Sequence, residues 1–184
     1  MTIHGTACAF GSKEKTPEEQ AAEKEKKATA QYNDGVKHMD KAKAIVSQGD
    51  STYAFNYRAT SDAKAKKEYD KSVKNFTAAV ELKPEFAEAW NNLGYCYRKL
   101  DKLPLSLDAY HKALELKPGF PEAHEYLGET FLAMDSLPLA LGQLQLLQEL
   151  QSPYADTLLK SIEIYKLAKV NDRLSGVNSG HKKN

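Results

Sequence analysis

Few side chains in this 184-residue chain stand in patterns that support catalysis or metal binding. The five histidines form no His-Glu-x-x-His pair, and the chain has neither a glycine-rich phosphate loop nor a Gly-x-Ser-x-Gly nucleophile turn. Two cysteines, Cys8 and Cys96, are too few for a disulfide framework or a four-cysteine zinc site. Because Cys96 and His124 fall in helical patterns, we expect both to be packing residues. The sequence therefore predicts no catalytic residue, no metal site and no cofactor.

The overall charge is balanced. The chain has 26 basic and 25 acidic residues and a net charge of +1, without the basic excess that nucleic-acid binding favours. Hydrophobic residues make up 41% of the chain, which is enough to bury a core. No stretch approaches the roughly 18 apolar residues of a membrane-spanning helix. We expect one folded domain with a protein partner.

The N-terminus leaves two localisations open. Ala7-Cys8-Ala9 matches the small-x-small pattern that precedes a signal-peptidase cut, but the apolar segment of about 7–15 residues is missing before it. The protein is exported or periplasmic if this site is processed, and cytoplasmic if the match is chance. Residues 1–15 are expected to be flexible in either case, as a possible signal-peptide remnant.

The strongest pattern is a repeat of 34 residues. Leu93-Gly94 recurs as Leu127-Gly128, and Leu103-Pro104-Leu105 recurs as Leu137-Pro138-Leu139. Apolar residues return every three or four positions in both halves of each unit, which predicts two helices per unit. A glycine inside a helix costs about 1 kcal/mol relative to alanine, so Gly94 indicates close approach of a neighbouring helix.

This period divides the chain into predicted segments. Residues 87–120 and 121–154 are regular units, and residues 16–86 form a divergent first unit with a long helix at 17–47. Gly35 stands in that helix where Gly94 stands in the next unit. The first unit also contains an insertion at 48–61, which we expect to be mobile. Residues 155–174 are predicted to be a capping helix and residues 175–184 a disordered tail.

Residues 87–120 resemble a tetratricopeptide repeat. The signature positions of that family are occupied by Trp90, Leu93, Gly94, Tyr97, Ser106, Tyr110, Ala113 and Pro118. The next unit has His124 in place of the tryptophan, and its proline, Pro153, comes one residue late. The resemblance implies an all-α, right-handed solenoid of about three helix pairs with a C-terminal capping helix.

The resemblance also implies where a partner binds. In this family the first helix of each pair lines a concave face at known positions. Carried over to this chain, they are Glu88, Asn91, Asn92, Tyr95, Arg98, Lys99, Glu122, Glu125, Tyr126 and Glu129. Further candidates are Tyr32, Asn33, Val36, Met39 and Leu132.

Two functions follow from this interpretation. The first is a scaffold or adaptor that binds a peptide or a partner's loop on the concave face. The alternative is a structural subunit that self-assembles, or packs into a larger complex, through its terminal helices. An enzyme is not expected. One branch of the family clamps the acidic C-terminal tails of chaperones. Asn92 matches one clamp position, but Glu122 and Tyr126 replace the basic residues of another repeat, so we expect a partner bearing lysine or arginine instead.

Overall fold

The computed structural model describes residues 15–48 and 63–180, with side chains for residues 15–47 and 63–172. Seven helices and no strand occupy these ranges, which confirms the all-α prediction. They are α1 (Pro17–Gln48), α2 (Ala63–Leu82), α3 (Ala87–Lys99), α4 (Leu103–Leu116), α5 (Pro121–Ala133), α6 (Leu137–Glu149) and α7 (Tyr154–Gly180). The helices α1, α3 and α5 each pack on the next helix in the chain, and α7 closes the array against α5 and α6. Within the described ranges, no helix has the length and apolar content needed to cross a bilayer.

The first helix begins at a capping box formed by Thr16 and Glu19. The Glu19 amide donates to Thr16 Oγ1 at 3.2 Å, and the Thr16 amide donates back to the Glu19 carboxylate at 2.9 Å. These two bonds satisfy backbone donors that the first turn of a helix leaves unpaired. The helix then continues for 32 residues, against 13 in α3, so its last part extends past the end of a regular repeat helix.

An ionic cluster around the buried Glu68 fixes this extension on α2. Glu68 of α2 lies 2.7 Å from His38 Nδ1 and pairs with Lys41 at 3.2 Å. Lys71, one turn further along α2, contacts the same carboxylate at 3.0 Å. Hydrogen bonds from Lys71 and His38 lower the pKa of Glu68 to about 2, so the carboxylate stays charged and the contact between the helices persists.

Glycines in the first helices allow the helix pairs to approach closely. A Cβ at Gly94 would stand 2.7 Å from the Tyr110 ring, and one at Gly35 would stand 2.7 Å from the Phe76 ring. Both rings lie on the second helix of the same pair, which explains why the glycine recurs. In the last unit the atoms nearest Gly128 instead belong to Leu158 of α7, at 2.6 Å. The capping helix therefore occupies the space that an aromatic ring fills in the earlier pairs.

The turns between helices fall into two kinds. Asp101 and Asp135 end the first helices of their units in the left-handed region, each with φ of 59°. Gln151, between α6 and α7, also has a positive φ of 51°. The connection to the capping helix therefore follows the turn used within a pair, whereas Lys117-Pro118-Gly119 forms the ordinary link between pairs. This difference explains why Pro153 does not fall on the repeat register.

One contact is repeated with a different side chain. Trp90 is partly buried, and its Nε1 donates to the Pro84 carbonyl at 2.8 Å. His124 stands at the same position of the next unit, and its Nε2 donates to the Pro118 carbonyl at 2.8 Å. His124 Nδ1 lies 2.7 Å from the side-chain amide of Gln143, so both ring nitrogens are engaged. The structure thus confirms that His124 is a packing residue.

Cys96 is also a packing residue, as predicted. It is fully buried in the core formed by α1, α2 and α3, beside Tyr69, Phe76 and Leu93. Burial raises the pKa of its thiol to about 12, which keeps the sulfur protonated and unreactive.

Some predicted boundaries differ from the structure or lie outside it. The last helix continues to Gly180 rather than ending at 174, so residues 175–180, which were expected to be disordered, are helical. No proline follows Pro153, and proline is the residue that would force the helix to end. Ala7-Cys8-Ala9, nearly all of the insertion at 48–61 and the end of the tail lie outside the described residues.

Two glycine substitutions test the packing account. Gly94→Ala should lower the free energy of unfolding by about 1–3 kcal/mol, because the new methyl group overlaps the Tyr110 ring. Gly142→Ala is the matched control, since a Cβ at Gly142 meets no atom within 4 Å. It should raise stability by up to about 1 kcal/mol through helix propensity alone. Urea unfolding of both variants measures the difference, and equal effects would contradict the account.

Candidate partner-binding groove

The ten predicted partner-binding residues lie on two neighbouring helices. They belong to α3 and α5, which contact each other in a row that runs α1, α3, α5, α7. The 34-residue offset places Asn91 and Glu125 at equivalent positions, as it does Asn92 and Tyr126. We call the face that these ten side chains form the groove.

Two tyrosines form the centre of the groove. The rings of Tyr95 on α3 and Tyr126 on α5 are tilted by 53° with centroids 5.1 Å apart, a favourable arrangement for an aromatic pair. Tyr69 packs behind Tyr95 at 6.2 Å. Tyr95 keeps only 9% of its surface exposed, whereas Tyr126 is half-buried. Tyr126 is therefore the more accessible ring.

Three cations surround the Tyr95 ring. Lys43 Nζ lies 4.7 Å from the ring centroid, Lys99 Nζ lies at 5.3 Å and the Arg98 guanidinium at 5.4 Å. Cations over an aromatic face are attracted by the negative charge density of the ring. The repeat pattern did not indicate Lys43, because it lies in the part of α1 that extends beyond a regular repeat. The length of the predicted first helix was the available sequence signal for Lys43.

An ion pair joins α3 to α5 beneath these rings. Arg98 Nη2 lies 2.7 Å from Glu129 Oε2, and Arg98 is only 6% exposed. Burial opposes the charged guanidinium, but the Glu129 carboxylate together with Tyr110 and Tyr95 outweighs it and holds the pKa of Arg98 above its usual range. Glu129 also accepts a hydrogen bond from Ser161 Oγ of α7 at 3.2 Å. The Arg98 guanidinium is therefore buried and charged.

Glu125 is buried in the same region without such a partner. The residue is 3% exposed, and no described side chain donates a hydrogen bond to it or pairs with it. Burial, reinforced by Glu129, raises the pKa of Glu125 to about 8. Lys99, half-buried nearby, has its pKa lowered to about 8 by burial and by Arg98. Both groups therefore change charge close to neutral pH.

The other predicted residues bind neighbouring helices. Lys117 contacts Glu88 at 3.3 Å, and Tyr154 Oη of α7 donates to Glu122 at 3.0 Å. Asn92 donates to the hydroxyl of Tyr32 at 3.2 Å. In the portion of the chain with described side chains, no three carboxylate, histidine or cysteine side chains form a group that could hold a metal ion.

The structure therefore divides the predicted set. Six of the ten residues lie together: the two tyrosines, Tyr95 and Tyr126, and the four charged residues around them, Arg98, Lys99, Glu125 and Glu129. Four of the ten residues are buried, although a freely accessible concave face would leave them exposed: Asn91, Tyr95, Arg98 and Glu125. Two of the further candidates, Met39 and Leu132, are core residues and not part of the groove, because helix packing covers them.

The unpaired carboxylate predicts a pH-dependent stability. Between the pKa of about 4.3 expected in the unfolded chain and about 8 in the folded protein, only the folded state holds the Glu125 proton. Wild-type stability should therefore fall as pH rises through this window, by up to about 1.4 kcal/mol per pH unit. The groups that act on Glu125 are Glu122 and Glu129 of α5, and Arg98 and Lys99 of α3.

Glu125→Gln removes this proton and should become progressively more stable than wild type up to about pH 8. Urea unfolding at several pH values measures the difference. Glu163→Gln, which removes an exposed carboxylate of α7, is the matched control and should not reproduce the trend. A constant difference between Glu125→Gln and wild type would show that Glu125 is ionised throughout.

Comparisons with known proteins agree with this architecture. The family model described as "Tetratricopeptide repeat" matches residues 87–120, and the one described as "TPR repeat" matches residues 64–101. A segment of 43 residues is 46% identical to part of the "Tetratricopeptide repeat domain-containing protein PYG7, chloroplastic" of Arabidopsis thaliana. That segment covers 23% of this chain and 14% of the plant protein, so the chain matches a small part of that relative.

Two solved structures have a similar fold. One is the "TPR2B-domain:pHsp70-complex of yeast Sti1", with 20% identity and a TM-score of 0.51 over 56% of this chain and 86% of that one. The other is the "First TPR of Spaghetti (RPAP3) bound to HSP90 peptide SRMEEVD", with 18% identity and a TM-score of 0.51 over 74% and 95%. Together with the seven helices of the described residues, these matches show that residues 64–120 contain tetratricopeptide repeats and that the fold is that of a tetratricopeptide-repeat array.

Proposed function

We propose that this chain is a non-catalytic protein-interaction module that binds an extended peptide or a partner's loop in the groove. The observation that carries the proposal is the convergence of Tyr95 and Tyr126 between cations on one side and carboxylates on the other. Amphipathic rings flanked by charge are typical of peptide-recognition surfaces. The two proteins of similar fold hold chaperone segments in their complexes, which supports a peptide as the type of ligand.

The charges in the groove determine which peptide fits. Glu122 and Glu125 stand on α5. The buried cation of α3, Arg98, is already neutralised by Glu129. Lys43 and Lys99 place positive charge around Tyr95. We propose a partner segment that places lysine or arginine near Glu125 and an apolar or aromatic anchor on Tyr126, the accessible ring beside Tyr95.

The same charges disfavour an acidic chaperone tail. Such a tail would place its carboxylates against Glu122, where a positive side chain would be needed to form a charge-assisted hydrogen bond. Tyr154 already donates to Glu122, so that carboxylate is held in place by α7. The fold is shared with chaperone-binding proteins, but the groove chemistry differs.

A second candidate is a subunit that assembles through its terminal helices. Leu139, Leu146 and Leu150 form an exposed stripe along α6, and Leu167 and Val170 are exposed on α7. Exposed apolar patches of this kind mark association surfaces. Light scattering across a concentration series separates the two functions: the module stays monomeric, whereas the subunit forms an oligomer that is lost in a Leu139→Gln, Leu150→Gln variant.

A pair of matched peptides tests the leading proposal. The labelled heptapeptide SRMEEVD and a version with its three acidic residues replaced by lysine and its C-terminus amidated have equal length and opposite charge. Fluorescence anisotropy should show tighter binding of the basic version, and this preference should weaken as salt shortens the Debye length to a few ångströms, about 3 Å at 1 M. Tighter binding of SRMEEVD would refute the proposed charge preference.

A further inference from the structure

Two buried polar side chains stand at equivalent positions of consecutive repeats, and neither forms an ion pair. Asn91 on α3 is 4% exposed, and its Oδ1 has no hydrogen-bond partner among the described residues. Glu125, at the same position of α5, is 3% exposed, and Arg98 and Lys99 of α3 act on it through their charge without forming an ion pair with it. Three other buried side-chain atoms of the described residues also lack a partner, Arg98 Nε, Ser106 Oγ and Tyr110 Oη, but Asn91 and Glu125 share one repeat position on neighbouring first helices.

The neighbouring carboxylates of α5 differ from Glu125 in this respect. Glu122 accepts from Tyr154, and Glu129 pairs with Arg98 and accepts from Ser161. Glu125 lies between them on the same face of the helix, and no described side chain of the neighbouring helices forms an ion pair with it. The groove thus contains one carboxylate that is left for a donor from a bound segment.

We propose that Glu125 accepts the ammonium or guanidinium group of a lysine or arginine in the bound segment, and that Asn91 Oδ1 accepts a second donor from the same segment. This inference rests on the proposed function, because it assigns ligand contacts within that groove. Packed helices lie about 8–10 Å apart, so equivalent positions of α3 and α5 are separated by a similar distance. Three residues of an extended peptide span about 10 Å, so the two donors belong about three residues apart.

A cation satisfies Glu125 better than a neutral donor does. Glu122 and Glu129 add negative potential on α5. Among the charged neighbours, Glu129 has the largest effect on the pKa of Glu125. Arg98 and Lys99 of α3 oppose it, but Arg98 is paired with Glu129, and Lys99, with a pKa of about 8, loses its charge in the same pH range in which Glu125 ionises. Competition from Lys99 for the Glu125 carboxylate therefore weakens as the pH rises through about 8.

The proposal includes a pH dependence. Burial raises the pKa of Glu125 to about 8, so the free groove holds a proton at neutral pH that a ligand cation must displace. Affinity for a cationic segment should then increase up to about tenfold per pH unit between about pH 6 and 8. Deprotonation of Lys99, which has a similar pKa, favours the cation in the same direction.

Selection from a random peptide library tests this assignment. A phage-displayed library of random dodecapeptides is selected at about pH 8 on the full chain, on Glu125→Gln and on the control Glu163→Gln. Wild type and Glu163→Gln should enrich lysine or arginine at one fixed position, and Glu125→Gln should lose that preference while still enriching peptides. Asn91→Leu should lose the donor preference about three residues away from the basic residue.

The outcomes separate this inference from the proposed function. Enrichment of the same basic position on Glu125→Gln overturns the role of Glu125 and leaves the groove as a peptide site. Failure of every protein to enrich any peptide overturns the proposed function and this inference together. For a selected peptide, an affinity that does not change between about pH 6 and 8 also overturns the inference. Replacing the lysine of that peptide by acetyllysine should remove the pH dependence of its affinity.

Discussion

The close approach of two helices within each pair determines the geometry of this protein. Gly35 and Gly94 leave room for the rings of Phe76 and Tyr110, and a Cβ at either glycine would stand 2.7 Å from the ring. This distance holds the second helix against the first and brings α1, α3, α5 and α7 into one row. The groove depends on that row, because its side chains come from neighbouring first helices of the array.

Close packing of that row also buries polar groups. Arg98 and Glu129 lose water but gain each other at 2.7 Å, which compensates for much of the desolvation. Glu125, one turn before Glu129, loses water and gains no partner, so burial raises its pKa to about 8. A buried polar group without a pairing partner lowers the stability of the free protein, and Asn91 and Glu125 occupy one repeat position in this way. Such a cost is characteristic of sites that a ligand completes.

Much of the architecture could be predicted from the repeat, and less of the groove. The 34-residue register identified the helix pairs, and the long helix predicted at 17–47 corresponds to α1. Periodicity shows which face of a helix a residue occupies but not how deeply a neighbouring helix covers it. The burial of Tyr95 and the approach of Lys43 to its ring depend on the tertiary placement of α1. No local pattern encodes that placement.

The central claim is that the groove keeps an unpaired carboxylate for a ligand cation. Carbon-13 NMR of the side-chain carboxyl of Glu125, titrated in the free protein and in complex with a lysine-bearing peptide, tests it most directly. The account predicts a pKa of about 8 in the free protein and an ionised carboxylate throughout the neutral range in the complex. Titration near the ordinary glutamate value of about 4.3 in both states would contradict it.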